Sequence, residues 1–189
     1  MEPMKIHRFI GAFDLSKKSF QIRDKEVVNQ IKNVLRIKEG EIVELCDGKS
    51  ISVMAEIVKI DGNGIGVLIK SIEENKNKTE NSISLFCAIL KKENFELVVQ
   101  KATECGVTKI IPIITARTIK TGLNVERLQK IAKEASEQCG RITIPEILEP
   151  IDFEKALELA KGNFNILIDA SGDLLSVTKN ESKNIDILI

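Results

Sequence analysis

The stretch "ISLFCAILKKENFELVVQKATECGV", residues 83–107, decides the fold. Its first eight residues form an apolar run with Ile83, Leu85, Phe86, Ile89 and Leu90, the pattern of a buried strand. Lys91, Lys92 and Glu93 then open a helix. Helical spacing puts Leu97, Val98, Lys101, Ala102 and Cys105 on one face, and Lys92, Glu96, Gln100, Thr103 and Glu104 on the other. Gly106 stands where a helix end favours a left-handed residue. A buried strand running into a lysine-rich helix start is a candidate anion site in an α/β sheet. The plainer reading is an ordinary βα unit with a solvated polar face.

The same alternation continues toward the C-terminus. Residues 107–114 read as a strand with Pro112 near its end, followed by the polar loop Thr115-Ala116-Arg117-Thr118. Asn124 can cap a helix whose Leu128, Ile131, Ala132, Ala135 and Cys139 share a face, with Gly140 as its stop and Arg141 at the entrance to the next strand. Asp152 can cap another helix, with Phe153, Ala156, Leu157 and Ala160 inward. Residues 164–168 read as a buried strand ending in the loop Asp169-Ala170-Ser171-Gly172, and 185–189 as one more strand. Strands alternating with helices imply a parallel sheet.

The N-terminal part differs. Residues 4–10 and 20–22 read as short strands, and Asp24 can cap a helix with Val27, Val28, Ile31, Val34 and Leu35 on one face. Three strands follow at hairpin spacing: 41–46, then 51–60 after an Asp47-Gly48 turn signal, then 65–72 after a Gly-containing turn at 61–64. Short strands, tight turns and one helix within about 70 residues suggest a small β-barrel. The polar segment 73–82 reads as the linker between two domains.

Composition excludes several classes of function. The chain has 189 residues, 43% of them apolar and 30% charged, enough for a sizeable core. No apolar run approaches the ~20 residues of a membrane span, and residues 1–9 do not look like a secretory signal, so a cytoplasmic protein is expected. Cys46, Cys87, Cys105 and Cys139 form no C-x-x-C pair, and His7 is the single histidine. No metal site is expected, and three of the four thiols lie in apolar patterns, which points to reduced core cysteines. Basic and acidic residues balance at 28 each, so any RNA contact is a local patch rather than a basic arm. Without Trp or Tyr, base stacking falls to one of seven Phe residues or to Arg planes.

Several motifs together resemble one family. "LKKENFELVVQKATECGV" (90–107) is similar to the signature of the ribosomal RNA small subunit methyltransferase E family. In the same order along the chain, Arg8-Phe9, Val34-Leu35-Arg36 with a following x-x-x-Gly turn, Thr115-Ala116-Arg117-Thr118 and Glu137-Gln138-Cys139-Gly140-Arg141 each resemble family elements. One departure stands out: the family's histidine near the first helix start is absent, the region reading Lys25-Glu26-Val27-Val28.

The resemblance implies an α/β fold. A PUA-like RNA-binding β-barrel over 1–72 is expected, then the 73–82 linker, then a SPOUT-type (α/β knot) methyltransferase domain over 83–189. It implies transfer of a methyl group from S-adenosyl-L-methionine to ring nitrogen 3 of a uridine in the 16S rRNA of the small ribosomal subunit. Full-length family members are expected to be homodimers. The implied RNA contacts are Arg8, Arg36, Lys91, Lys92, Lys101, Arg117 and Arg141, with Gln100, Glu104 and Gln138 as a supporting network. Leu167, Asp169 and Ala170 are expected to border the cofactor. No residue is an obvious general base, Glu104 being a candidate by position alone. The next family element after Ile189 would be a Gly-Pro-Glu-Gly-Gly cofactor loop and a knotted segment. The expectation is therefore an incomplete SPOUT-type domain, inactive and poorly able to dimerise. Two rivals remain: a non-catalytic RNA-binding protein, and a generic nucleotide-binding α/β enzyme, which lacks any G-x-G-x-x-G or P-loop pattern.

Overall fold

The computed structural model describes residues 6–74, 81–118, 122–169, 171–172 and 182–189. The chain divides into two compact units, Met1–Lys78 with Gly140–Thr143, and Thr79–Cys139 with Ile144–Ile189. The linker expected at 73–82 is shorter at its start, because Glu73 and Glu74 continue a strand. The segment carrying Arg141 groups with the first unit rather than with the second.

In the first unit, strands β1 (His7–Ile10), β2 (Ser19–Ile22), β3 (Ile42–Cys46), β4 (Ile51–Asp61) and β5 (Gly64–Glu74) form a sheet in the order β1-β3-β4-β5-β2. β1 runs parallel to β3, and the other pairs are antiparallel. The long β4–β5 hairpin has two register shifts, at Met54/Ala55 and Ile57/Lys59. Such irregularities bend and twist a ribbon, which curls this sheet around a single core of Phe9, Val43, Leu45, Ile57, Ile65 and Val67. Gly64, at φ 138, closes the hairpin, and any Cβ there would collide with the Ile22 carbonyl oxygen of β2.

Helix α1 (Lys25–Asn29) starts where expected: Asp24 Oδ1 accepts the Glu26 and Val27 amides at 2.9 and 3.0 Å. The expected five-residue apolar face does not hold. After one turn the backbone passes into a π-helical turn, Gln30–Val34, in which the Leu35 amide reaches back to the Gln30 carbonyl at 2.8 Å. The wider turn changes the angular step per residue. Val27 and Ile31 stay buried, whereas Val34 and Leu35 swing out to 65% and 38% exposure. Arg36 then takes φ 55, the one positive value among described non-glycine residues, before the chain re-enters the core at Ile37. A side chain in the left-handed region costs about 1–2 kcal/mol relative to right-handed backbone.

The second unit is a parallel sheet. Strands β6 (Ser82–Ala88), β7 (Lys109–Ile114), β8 (Glu146–Ile147), β10 (Phe164–Leu167) and β11 (Asn184–Leu188) are ordered β10-β11-β6-β7-β8, with β9 (Ile151–Asp152) also pairing β7. Helices α2 (Lys92–Glu104) and α3 (Val125–Cys139) share one core with Leu85, Cys87 and Ile110. Helix α4 (Phe153–Leu159) packs Ala156, with Ala160 just beyond it, on the opposite face against Phe86, Ile111 and Leu188.

Three sequence expectations change here. The buried stripe of α2 is Phe95, Val99, Ala102 and Thr103; Leu97 is 53% exposed and Lys101 is at the surface. The short hydroxyl of Thr103 is satisfied inside the helix by donating to the Val99 carbonyl at 2.7 Å, so it packs like an apolar residue. Second, β10 is an edge strand. Leu167 is 70% exposed and Ile168 is also exposed, as are Phe153 and Leu157 of α4. Third, Cys46 and Cys87 are buried, but Cys105 and Cys139 end their helices in solvent.

Candidate functional site

Strand order locates the candidate site. From β6 the chain moves outward to β7 and β8, then returns to the other side to add β10 and β11, with β11 beside β6. β6 and β11 are thus neighbours that join the two parts of the sheet, and in open parallel sheets ligands bind at the carboxyl ends of the strands. Backbone bonds hold that end: the Ile189 amide donates to the Phe86 carbonyl at 2.9 Å, and the Ile168 amide to the Leu188 carbonyl at 2.9 Å. Leu90, Leu167, Ile168 and Ile189 form an exposed apolar rim around these strand ends.

Three polar groups lie at the same edge. Lys91 follows β6 at the N-cap of α2, where the helix presents amides without intrahelical partners. Arg117 follows β7 in a turn tied by Thr118 Oγ1, which accepts the Thr115 amide at 2.9 Å. Asp169 follows β10, two strands or about 10 Å from β6. Lys91 and Arg117 are exposed and form no ion pair among the described residues. Asp169 Oδ1 accepts both the Ser171 hydroxyl and the Ser171 amide, at 2.5 and 2.8 Å, while Oδ2 makes no bond among the described residues. Those bonds, the hydroxyl first, hold its carboxyl below the usual aspartate range.

The other expected contacts have different surroundings. Arg8 pairs with Glu44 across β1 and β3, at 2.9 Å from Nε and 2.6 Å from the terminal guanidinium nitrogen, and both side chains are largely covered. Lys101 is held by Glu104 at 2.8 Å, and Gln100 donates to Glu104 Oε1 at 3.1 Å. These bonds, from Lys101 foremost, keep the Glu104 carboxyl ionised and below its usual range, which suits an anchor and not a base that must take up a proton near neutral pH. Arg141 donates to Thr143 Oγ1 at 3.3 Å and has further interactions. Arg36 is exposed without an ion pair among the described residues. The Lys92 side chain and Ala170 lie outside what the structure describes.

Gln138 does not join the Gln100–Glu104 network. It faces Gln100 across a groove of about 390 Å³ between α2 and α3, and its side chain makes no hydrogen bond among the described residues. Glu93, Glu96 and Glu134 line that groove against a single cation, Arg127. Arg127 is in turn clasped by Glu96 with two bonds of 2.6 and 2.8 Å. This groove collects acid, so it is not where the expected phosphate contacts meet. The sequence reading missed the Glu96–Arg127 clasp, whose partners are 31 positions apart. It also missed Ser171, whose spacing two residues after an aspartate is a recognisable turn signal.

A family model described as "RNA methyltransferase domain" matches residues 77–189, and one described as "RNA methyltransferase PUA domain" matches residues 22–70. Ribosomal RNA small subunit methyltransferase E of Rickettsia conorii is 32% identical over 169 residues, covering 89% of this chain and 68% of that protein. The chain belongs to the ribosomal RNA small subunit methyltransferase E family. The family consists of S-adenosylmethionine-dependent rRNA methyltransferases, built from a PUA-like domain and a SPOUT-type α/β domain. The Bacillus subtilis member is 30% identical over 141 residues, and the match spans 54% of its length, little more than half. The crystal structure of the Neisseria gonorrhoeae member, bound to S-adenosyl methionine, superposes with a TM-score of 0.87 at 26% identity, covering 98% of this chain and 79% of that one.

The carboxyl edge of the sheet has the chemistry to hold this family's cofactor. The exposed apolar side chains of Leu90, Leu167 and Ile168 offer a surface for a flat ring, and Asp169 Oδ2, which makes no bond among the described residues, is an acceptor for a hydroxyl.

Proposed function

We propose that this protein methylates ring nitrogen 3 of a uridine in the rRNA of the small ribosomal subunit, as a cytoplasmic enzyme. One observation carries the reading. Two cations, Lys91 and Arg117, and one carboxylate oxygen, Asp169 Oδ2, none with a partner among the described residues, share the carboxyl edge of a parallel sheet that belongs to this family. The cations suit RNA phosphates and the carboxylate suits a sugar hydroxyl.

When bound, S-adenosylmethionine supplies a methyl group on a positively charged sulfur and departs as the neutral thioether. The protein's own part is placement. Lys91 and Arg117 hold the RNA backbone so that the uridine ring lies over the strand ends. Leu167 and Asp169 would hold the cofactor at the strand ends, and the apolar rim would limit water there. Ring nitrogen 3 loses its proton to solvent, and its electron pair forms the new bond to the methyl carbon as the carbon–sulfur bond breaks. The bonds of Gln100 and Lys101 to Glu104 lie within α2, at the end opposite Lys91, and reinforce its last turns. In the first unit, the PUA-like barrel brings the RNA in, with Arg36 as a phosphate contact and Arg8 holding β1 to β3 through Glu44.

Incubating the protein with small ribosomal subunits and methyl-labelled S-adenosylmethionine, then digesting the rRNA to nucleosides, tests the reading. Label in N3-methyluridine is the expected result, with loss of rate in Lys91→Ala and Arg117→Ala variants. Label in a different nucleoside, or none while RNA is bound, would overturn it in favour of another methylation site or a binding protein.

A further inference from the structure

We infer that Glu96 and Arg127 are positioning residues for the reaction: by clasping α2 to α3 they set where Lys91 meets the RNA. This rests on the reading of Lys91 as a phosphate contact, and it adds two residues that touch neither RNA nor cofactor. Lys91 takes the N-cap of α2 and, as a lysine, has no acceptor to offer the amides there, so no side chain caps the start of that helix. α3 starts differently. Asn124 Oδ1 accepts the Arg127 amide at 2.9 Å, so the backbone that carries the guanidinium is itself held.

The clasp joins the uncapped start to the capped one. Glu96 opens the second turn of α2, and Arg127 lies in the first turn of α3. The guanidinium donates from Nε and a terminal nitrogen to the two carboxylate oxygens, at 2.6 and 2.8 Å. Such a two-point fork fixes direction as well as distance. Beside it, Phe95 and Leu128 are buried in the core that the two helices share. Apolar packing holds helices together without direction, and packed helices can slide by small amounts. The fork removes that freedom at the end of α2 that bears Lys91, whereas the Lys101–Glu104 bond serves the far end.

Folding stability does not account for the pair. The Arg127 side chain is 54% exposed and that of Glu96 17%, and an ion pair with one member this open to solvent contributes little. Direct RNA contact does not account for it either. Glu96 neutralises Arg127, and Glu93 and Glu134 line the same groove, so the surroundings repel phosphate. Placement remains, and a misplacement of about 1 Å near a reacting centre is enough to lower its efficiency.

Binding of the whole chain to small ribosomal subunits, with melting temperatures alongside, tests the pair. Glu96→Gln and Arg127→Gln should each bind roughly fivefold more weakly, about the share of one phosphate contact. Each should melt within about 4 °C of the parent. The sign for Glu96→Gln is decisive, because removing an acid close to RNA would otherwise tighten binding. In a Lys91→Ala background Glu96→Gln should add no further loss, since it acts through Lys91. Either Gln variant binding as tightly as the parent or tighter, additive losses with Lys91→Ala, or a larger fall in melting temperature would each overturn the inference. If the parent does not bind, or Lys91→Ala binds as the parent does, the phosphate reading of Lys91 falls and the inference with it. If Lys91→Ala is weakened while a Gln variant matches the parent, that reading stands and the inference alone falls.

Discussion

Asn163 donates its side-chain amide to Asp186 Oδ2 at 2.9 Å, which partners a carboxylate that is 1% exposed in the middle of the sheet. Asp186 is on β11, on the same face as Leu188 and α4, and Asn163 follows the end of α4. Asn165 adds a bond to the Ala160 carbonyl at 2.9 Å. Together they tie the end of α4 to the two strands that border the candidate cofactor edge.

Removing Asn163 should therefore be costly. Asn163→Ala leaves a buried carboxylate short of a donor, and a loss of about 2–3 kcal/mol is expected in denaturant unfolding. Asp186→Asn should cost less, because the Asn163 amide can rotate to present its oxygen. Equal losses for both variants would show that the charge itself, and not the bond, matters.

The phase of α2 gives a second prediction. Phe95→Ala should destabilise by about 3–5 kcal/mol, since Phe95 is fully buried. Leu97→Ser should change stability by less than about 0.5 kcal/mol, despite removing a large apolar side chain. Chemical denaturation of the two variants under one condition separates the two faces. Comparable losses would return Leu97 to the core.

Thiol reactivity should divide the cysteines into two pairs. Burial, then the neighbouring Glu44 charge, pushes the Cys46 thiol up to about 12, and burial also raises that of Cys87. A raised thiol is protonated and unreactive at neutral pH. Cys105 and Cys139 are exposed. Alkylation of the native protein followed by mass mapping should mark Cys105 and Cys139 quickly, and Cys46 and Cys87 only on unfolding.

The Asp47-Gly48 turn predicts an acid-side effect. Burial alone would raise the Asp47 carboxyl, but the amides of Ile51, Lys49 and Ser50, at 3.0, 2.8 and 2.9 Å from Oδ1, outweigh it and hold it below its usual range. The stabilisation is therefore full above the ordinary aspartate range and is lost as pH falls through the lower folded value. Asp47→Ala should cost about 1 kcal/mol near neutral pH and little in strong acid, so the two stability curves should converge on acidification. Parallel curves would place the effect outside this carboxylate.

What the sequence determined by itself is local. Asp24, Asn124 and Asp152 each accept amides at the start of the helix they were expected to cap, and Asp47-Gly48 and the glycine-bearing turn at 61–64 close the expected hairpins. Those features depend on hydrogen bonds between residues a few positions apart, so residue type and spacing suffice. The family motifs were likewise legible, and they led to the PUA-like and SPOUT-type units. Tertiary structure alone decided the rest. β11 pairs with both β10 and β6, and no periodicity encodes which strands become neighbours. The same packing turned Phe95 and Val99 inward in place of Leu97, and left β10 an edge. Pairing also sorted the basic residues: Glu44 and Glu104 took Arg8 and Lys101, leaving Arg36, Lys91 and Arg117 without an ion pair among the described residues. Arg8 and Glu44 are 36 positions apart, and only the register of β1 on β3 brings them together.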